Sequence, residues 1–235
     1  VWMISVMSKM KNIITIDGPS GVGKSTVSRR VAGTMGYTYL DTGAMYRAVG
    51  VFLKRCDVRL DRADIVSRSL DGLSLKLLPA ADEFSDVVVL LNGEDVSDLI
   101  RTPEAAMTAS RVSAIPIVRE KLVEMQRLLG AEGNVVAEGR DVGTVVFPTA
   151  KHKFFLDADP RERARRRVLQ LREKGVETSE EEILAMTLER DQNDRERAIS
   201  PLKQAEDALR IDSTNITIDE VVARILRNIS KNSTS

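Results

Sequence analysis

The chain has 235 residues, 43% hydrophobic and 30% charged, enough apolar material for one α/β domain with insertions or two small domains. Its 35 Lys and Arg balance 35 Asp and Glu, so no overall basic field points to nucleic acid, and the lone Cys56 cannot form an internal disulfide. No stretch approaches the length of a membrane span, and the expected setting is a reducing cytoplasm.

Residues 1–7 are apolar but shorter than a signal-peptide core, and Lys9 and Lys11 follow the apolar run instead of preceding it. Residues 1–11 therefore read as a flexible extension. The β-branched run 12–17 suits a buried strand. It leads into Gly18-Pro19-Ser20-Gly21-Val22-Gly23-Lys24-Ser25, which fits G-x-x-x-x-G-K-[ST], the phosphate-binding P-loop. Helical spacing through Val27, Val31 and Met35 follows Thr26, and Gly36 is a good stop. Strand, glycine-rich turn and helix thus come in the order the motif requires. Glycines let backbone N–H groups close round phosphate oxygens, and the helix start adds unpaired N–H groups and a positive dipole end. Lys24 can reach the β- and γ-phosphates, and the Ser25 hydroxyl can ligate Mg²⁺.

A second strand is expected over 37–40 and a helix over 45–55, so strand and helix alternate as in a parallel sheet. The middle of the chain departs from that rhythm. Residues 73–77 alternate with period two, 87–91 is a compact β run, and Asn92-Gly93 is a strong hairpin turn. This predicts a small antiparallel insertion over about 72–100. Helices are predicted over 103–113 and 116–129, each opened by proline. Strands follow over 134–137, 153–156 and 209–211, with helices over 160–174, 180–197 and 218–229. There is no internal repeat, so the chain reads as one domain with insertions.

Chemistry concentrates at strand ends. In open α/β sheets, ligands sit beyond the carboxyl ends of the strands. Glu138-Gly139-Arg140-Asp141 ends a strand there, so Glu138 is placed to steer Mg²⁺, directly or through water, while Arg140 and Asp141 face a second substrate; the alternative is a solvated turn. The stretch 160–198 is rich in arginine, including Arg161, Arg165, Arg190 and Arg197, with interleaved acids such as Glu162, Asp191 and Asp194. Most of these suit a solvated, salt-bridged helix face, yet a segment closing over the P-loop would supply the cations that phosphoryl transfer needs. Asp41-Thr42-Gly43-Ala44-Met45-Tyr46-Arg47 is either a second phosphate site at a helix start or an ordinary N-cap at Thr42. His152 is expected on the surface at the start of a strand, and Cys56 half-buried in a helix.

Taken together, Ile16-Asp17-Gly18-Pro19-Ser20-Gly21-Val22-Gly23-Lys24-Ser25, Leu40-Asp41-Thr42-Gly43-Ala44-Met45-Tyr46-Arg47 and Gly93-Glu94-Asp95-Val96 carry a resemblance. So do Ile100-Arg101-Thr102, Glu138-Gly139-Arg140-Asp141-Val142-Gly143-Thr144-Val145-Val146-Phe147-Pro148, Phe155-Leu156-Asp157-Ala158, Glu189-Arg190-Asp191 and Ile211-Asp212-Ser213-Thr214. In this order and spacing the chain resembles bacterial cytidylate kinases (CMP/dCMP kinases), small P-loop nucleoside monophosphate kinases. The resemblance runs from about residue 12 to 229. It implies a five-stranded parallel core flanked by helices, a β insertion that binds the monophosphate, and a helical lid over about 158–190. It also implies transfer from ATP, with Mg²⁺, to CMP and dCMP in pyrimidine nucleotide metabolism. The chain itself is expected to act on small molecules as a monomer, since nothing in the sequence demands a nucleic acid or membrane partner or a larger assembly.

By position, the resemblance assigns the cytosine edge to Ser110, Arg119 and Asp141. The monophosphate falls to Arg47 and Arg140, with Thr42 nearby and Tyr46 packing beside it. Arg190 and Asp194 would meet the sugar, and Arg197 sugar and phosphate. Gly18, Pro19, Ser20, Gly21, Val22, Gly23, Lys24, Ser25 and Thr26 would hold ATP, with the lid arginines near Arg161–Arg167, Arg161 and Arg165 among them. Lys24, Arg140 and Arg197 would stabilise the transferring charge, and Ser25 and Glu138 would hold the metal. Thr42 stands where the family often has serine, and Glu138 where aspartate is common.

Overall fold

The protein, seen as a computed structural model, is described over residues 12–79, 85–173 and 175–233; the expected extension over 1–11 lies outside them. Five parallel strands form the central sheet: β1 (Ile13–Asp17), β2 (Thr38–Asp41), β6 (Val135–Gly139), β7 (His152–Asp157) and β8 (Leu209–Asp212), in the order β2-β6-β1-β7-β8. β1 is central, with Asp17 opposite Gly139 on one side and Phe155 on the other. The strand repeat of two sorts side chains to opposite faces. Ile13, Leu40, Val135 and Ala137 face one hydrophobic cluster, while Ile14, Ile16, Val136, Phe154, Leu156 and Ile211 face the other. Helices cover both faces, as buried parallel strands require.

On the first face lie α2 (Thr42–Arg55), α4 (Pro103–Val112) and α5 (Pro116–Gly130). On the second lie α1 (Lys24–Met35) and α8 (Ile218–Ser233). Proline does open α4 and α5, where its missing N–H leaves nothing unsatisfied. A short helix, α3 (Ala63–Leu70), is an addition to the sequence reading: it has eight residues, about two turns, and buries only Val66 and Leu70. Both expectations are corrected: Cys56 is exposed just past the last turn of α2, and His152 is buried at the start of β7, which is paired on both sides, with β1 and β8.

The antiparallel insertion is a sheet of β3 (Leu75–Leu78), β4 (Val88–Leu91) and β5 (Glu94–Asp95), turned by Asn92 and Gly93, both at positive φ. Asp86 ties it to the body, accepting from Arg29 of α1 and, at 2.9 Å, from Arg101. After β7 come two helices packed on one another, α6 (Pro160–Glu173) and α7 (Glu180–Glu196), joined through a small cluster of Ala164, Val168, Leu171 and Ile183.

One glycine sets a packing distance. A Cβ on Gly130 would stand 2.5 Å from the ring of Phe147, which is fully buried and has no room to yield. Helix propensity alone favours Gly130→Ala by about 1 kcal/mol, whereas overpacking a close-packed core costs roughly 1–3 kcal/mol. The steric term should win, lowering the urea midpoint; a raised midpoint would mean that Phe147 can move.

Candidate active site

β1, β6 and β2 end side by side, and their loops line one cleft of about 870 Å³. Eleven lysine and arginine side chains line it against five carboxylates, although the whole chain is neutral. Such a cleft focuses a positive field on anionic ligands.

One end is the P-loop. Gly18 is obligatory there, because a Cβ would lie 2.0 Å from the carbonyl oxygen of Leu156 on the neighbouring strand. Val22 is buried in the core and anchors the loop from below. Ser20, Gly21, Gly23, Lys24, Ser25 and Thr26 face the cleft, whereas Gly18, Pro19 and Val22 shape the loop from behind. Lys24 opens α1 and is buried; its Nζ donates to the Pro19 carbonyl at 2.6 Å. Burial, and then the nearby Arg140 cation, lower its ammonium to about 7. The Ser25 hydroxyl donates to Glu138 Oε1 at 2.7 Å, and Glu138 Oε2 is buried without a hydrogen bond among the described residues. Burial, then the charge of Asp41, raise the Glu138 carboxyl.

The other end is built on α2, α4, α5 and the turn after β6. Asp41, not Thr42, caps α2: its Oδ1 accepts from the Ala44 N–H at 2.8 Å, and its Oδ2 holds Arg47 at 3.0 Å. The Thr42 hydroxyl instead donates to the Glu138 carbonyl at 2.6 Å, fastening the two strand ends together. Arg119, buried on α5, pairs with Asp141 and lies over the Tyr46 ring, 5.5 Å from its centroid. Arg197 reaches Asp141 at 3.4 Å and the Ser113 hydroxyl at 3.3 Å. Burial raises the Asp141 carboxyl against the pull of Arg119. Ser110 also lines this end.

Between the ends, Arg140 donates to Asp194 of α7 at 2.7 Å, and Arg190 to the Ser20 hydroxyl at 3.1 Å. Burial, then Arg140, bring Arg190 down to about 10. For Asp194, burial pushes the carboxyl up but Arg140 and Arg190 outweigh it, and it ends below its usual range.

The arginines of the lid divide into two sets. Arg161 and Arg165 are exposed and do not line the cleft; Arg165 is held by Glu162 at 2.8 Å. Arg163, Arg166 and Arg167 line it instead. Three and four residues apart, these share a face of α6, next to the apolar stripe Ala164, Val168 and Leu171 that packs on α7. That stripe is the signal in the sequence that separates the two sets.

A further residue escapes motif reading. Asp17, buried at the end of β1, accepts from the Val142 N–H at 2.8 Å with Oδ1 and from the Gly143 N–H at 2.7 Å with Oδ2. It clamps the turn that presents Arg140 and Asp141. Burial pushes its carboxyl up to about 6, against these two amides.

Residues 14–231 match the protein-family model described as cytidylate kinase. The chain is similar to a cytidylate kinase of Carboxydothermus hydrogenoformans, 49% identical over 218 residues that cover 93% of this chain and 97% of that protein. It is 48% identical to one of Syntrophotalea carbinolica (93% and 92% covered) and 46% identical to one of Pasteurella multocida (94% and 96%).

The Asp17 clamp gives a signed prediction. Its folded value lies above the unfolded 3.8, so the stability it contributes is full below about pH 4 and lost as pH rises through 6. Asp17→Asn removes that dependence. The stability difference between variant and wild type should move in the variant's favour by roughly 2–3 kcal/mol between pH 4 and pH 7. Urea titrations at the two pH values measure it, and a pH-independent difference would contradict the assignment.

Proposed function

The chain belongs to the cytidylate kinase family, and from that premise we propose how its cleft works. The protein is an ATP-dependent kinase that phosphorylates CMP and dCMP to CDP and dCDP by direct in-line transfer. The observation that carries the reading is the pairing of two sites in one cleft: a P-loop at one end and the buried Arg119–Asp141–Arg197 cluster at the other.

ATP phosphates lie on the amides from Ser20 to Thr26, with Lys24 between the β- and γ-positions and Arg166 and Arg167 closing from α6. Cytosine offers an exocyclic amine and ring acceptors. A carboxylate (Asp141), a guanidinium (Arg119) and a hydroxyl (Ser110) complement that edge, and the same groups would stand unpaired against a mismatched base. Arg47 and Arg140 hold the acceptor phosphate near Thr42, with Tyr46 packed beside it. Arg190 and Asp194 meet the sugar, and Arg197 spans sugar and phosphate. An acceptor phosphate already ionised near neutral pH needs no general base. Lys24, Arg140 and Arg197 stabilise the charge spread over the equatorial oxygens, and the rigid strand ends supply orientation.

Mg²⁺ fits the Ser25–Glu138 pair: two hard oxygen ligands, with one carboxylate oxygen buried without a hydrogen bond among the described residues. Ser25 and Glu138 would hold it, and when bound it supplies neutralisation of phosphate charge. Among the described residues no helix is long and apolar enough to cross a membrane. Zero net charge gives no overall basic field for nucleic acid, and the proposed substrates are free nucleotides; a cytoplasmic monomer is part of the same proposal.

Two measurements test this reading. Lys24 sits at about 7 in the free protein, so polyphosphate charge raises it and ATP binding at pH 8 should take up protons. Calorimetry in two buffers of different ionisation enthalpy reads that uptake. Lys24→Met should abolish it and cut turnover about 10²–10³-fold; equal proton uptake in both proteins would remove Lys24 from the phosphate site. Separately, Asp141→Ala should reduce kcat/KM for CMP by about 100-fold or more while ATP affinity holds. An equal loss on both sides, or wild-type turnover that favours UMP over CMP, would overturn the assignment of the base.

A further inference from the structure

Arg163 is among the largest fully buried side chains of the protein, yet no transferring group is assigned to it. A buried guanidinium is tolerated only where its donors are met. Here Nε donates to the Ala158 carbonyl at 3.0 Å, Nη1 to Asp191 Oδ1 at 3.0 Å and to the Ser20 carbonyl at 3.1 Å, and Nη2 to Asp191 Oδ2 at 2.5 Å. Asp191 is itself buried on α7. The fork of the carboxylate fixes the plane of the guanidinium, and the third contact fixes a P-loop peptide.

That contact has a direction. In a trans peptide the carbonyl and the following N–H point opposite ways. With the Ser20 carbonyl drawn onto Arg163, the Gly21 N–H is turned the other way, and Gly21 is exposed at the cleft. A flipped peptide would present a carbonyl oxygen to phosphate. Ser20 is held a second time, through its hydroxyl by Arg190, the residue before Asp191. Nothing in the loop itself prevents the flip, since Gly21 accepts either peptide orientation without steric cost.

We propose that the buried Arg163–Asp191 pair is a positioning device for ATP: it locks the Ser20–Gly21 peptide so that the Gly21 amide, not the Ser20 carbonyl, faces the phosphates. Arg163 acts through the backbone and touches no substrate. The assignment rests on the ATP-using reading above, but its test reads binding alone, so it can fail while CMP-dependent turnover stands.

In ¹⁵N-labelled wild-type protein, adding ATP without CMP should move the Gly21 amide proton downfield. The double variant Arg163→Met/Asp191→Leu removes both charges together, which avoids leaving one of them buried alone. It should bind ATP about tenfold or more weakly by calorimetry, bind CMP within about twofold of wild type, and lose the Gly21 shift. An ATP affinity within twofold of wild type, or equal weakening of ATP and CMP, would overturn the proposal. Should the double variant not fold, the wild-type resonance decides: a Gly21 amide unmoved by saturating ATP overturns it, and a downfield shift supports it.

Discussion

The structure depends on holding many positive charges at close quarters in a half-dry cleft. Arginines crowded at low dielectric repel one another and lose hydration, so each must be braced by an acceptor. Arg47 leans on Asp41, Arg119 and Arg197 on Asp141, Arg140 on Asp194, and Arg163 on Asp191. The braces come from different elements: a helix cap, the turn after β6, and successive turns of α7. Removing one carboxylate leaves a buried cation uncompensated and loosens two elements together. The fold and the charge distribution are for this reason one problem.

The braces are not equivalent to full neutralisation. Lys24 and Arg190 both sit below their ordinary values, because burial and the neighbouring Arg140 work against their charged forms. The cleft is thus under electrostatic load, which phosphate groups would relieve. Anionic ligands should stabilise the folded state as well as occupy it, by the ordinary linkage between binding and folding.

Much of this was legible in the sequence. The P-loop, the alternating strands and helices, the Asn92-Gly93 hairpin and the prolines opening α4 and α5 are local patterns, and the structure reproduces them with ends shifted by a few residues. What escaped was non-local. A count of charges cannot show that a neutral chain segregates eleven cations into one cleft. An arginine run cannot show which members face inward until α6 is packed on α7, and Arg161 and Arg165 fell on the wrong side of that packing. Asp17 looked like the end of a strand; its two backbone partners lie more than a hundred residues on, brought near only by the pairing of β1 with β6. His152 is more covered and Cys56 more exposed than expected, because neighbouring layers, not their own flanks, decide what is covered.

The central sheet also works as a gauge. The P-loop springs from β1, the Glu138–Asp141 turn from β6, and the cap of α2 from β2, three strands adjacent in the ladder, with Asp17 opposite Gly139 and Asp41 opposite Glu138. Neighbouring strands are held about 4.8 Å apart by backbone hydrogen bonds, with almost no freedom to stretch. The spacing between the loops that would seat donor and acceptor is then graduated in strand widths, independent of the identity of any single side chain. A one-residue slip of β6 would misplace its loop by about 3.3 Å and turn every side chain to the opposite face, so there is no intermediate setting. Side-chain changes can retune what the cleft grips, but the separation between its two ends is inherited from the pitch of the backbone.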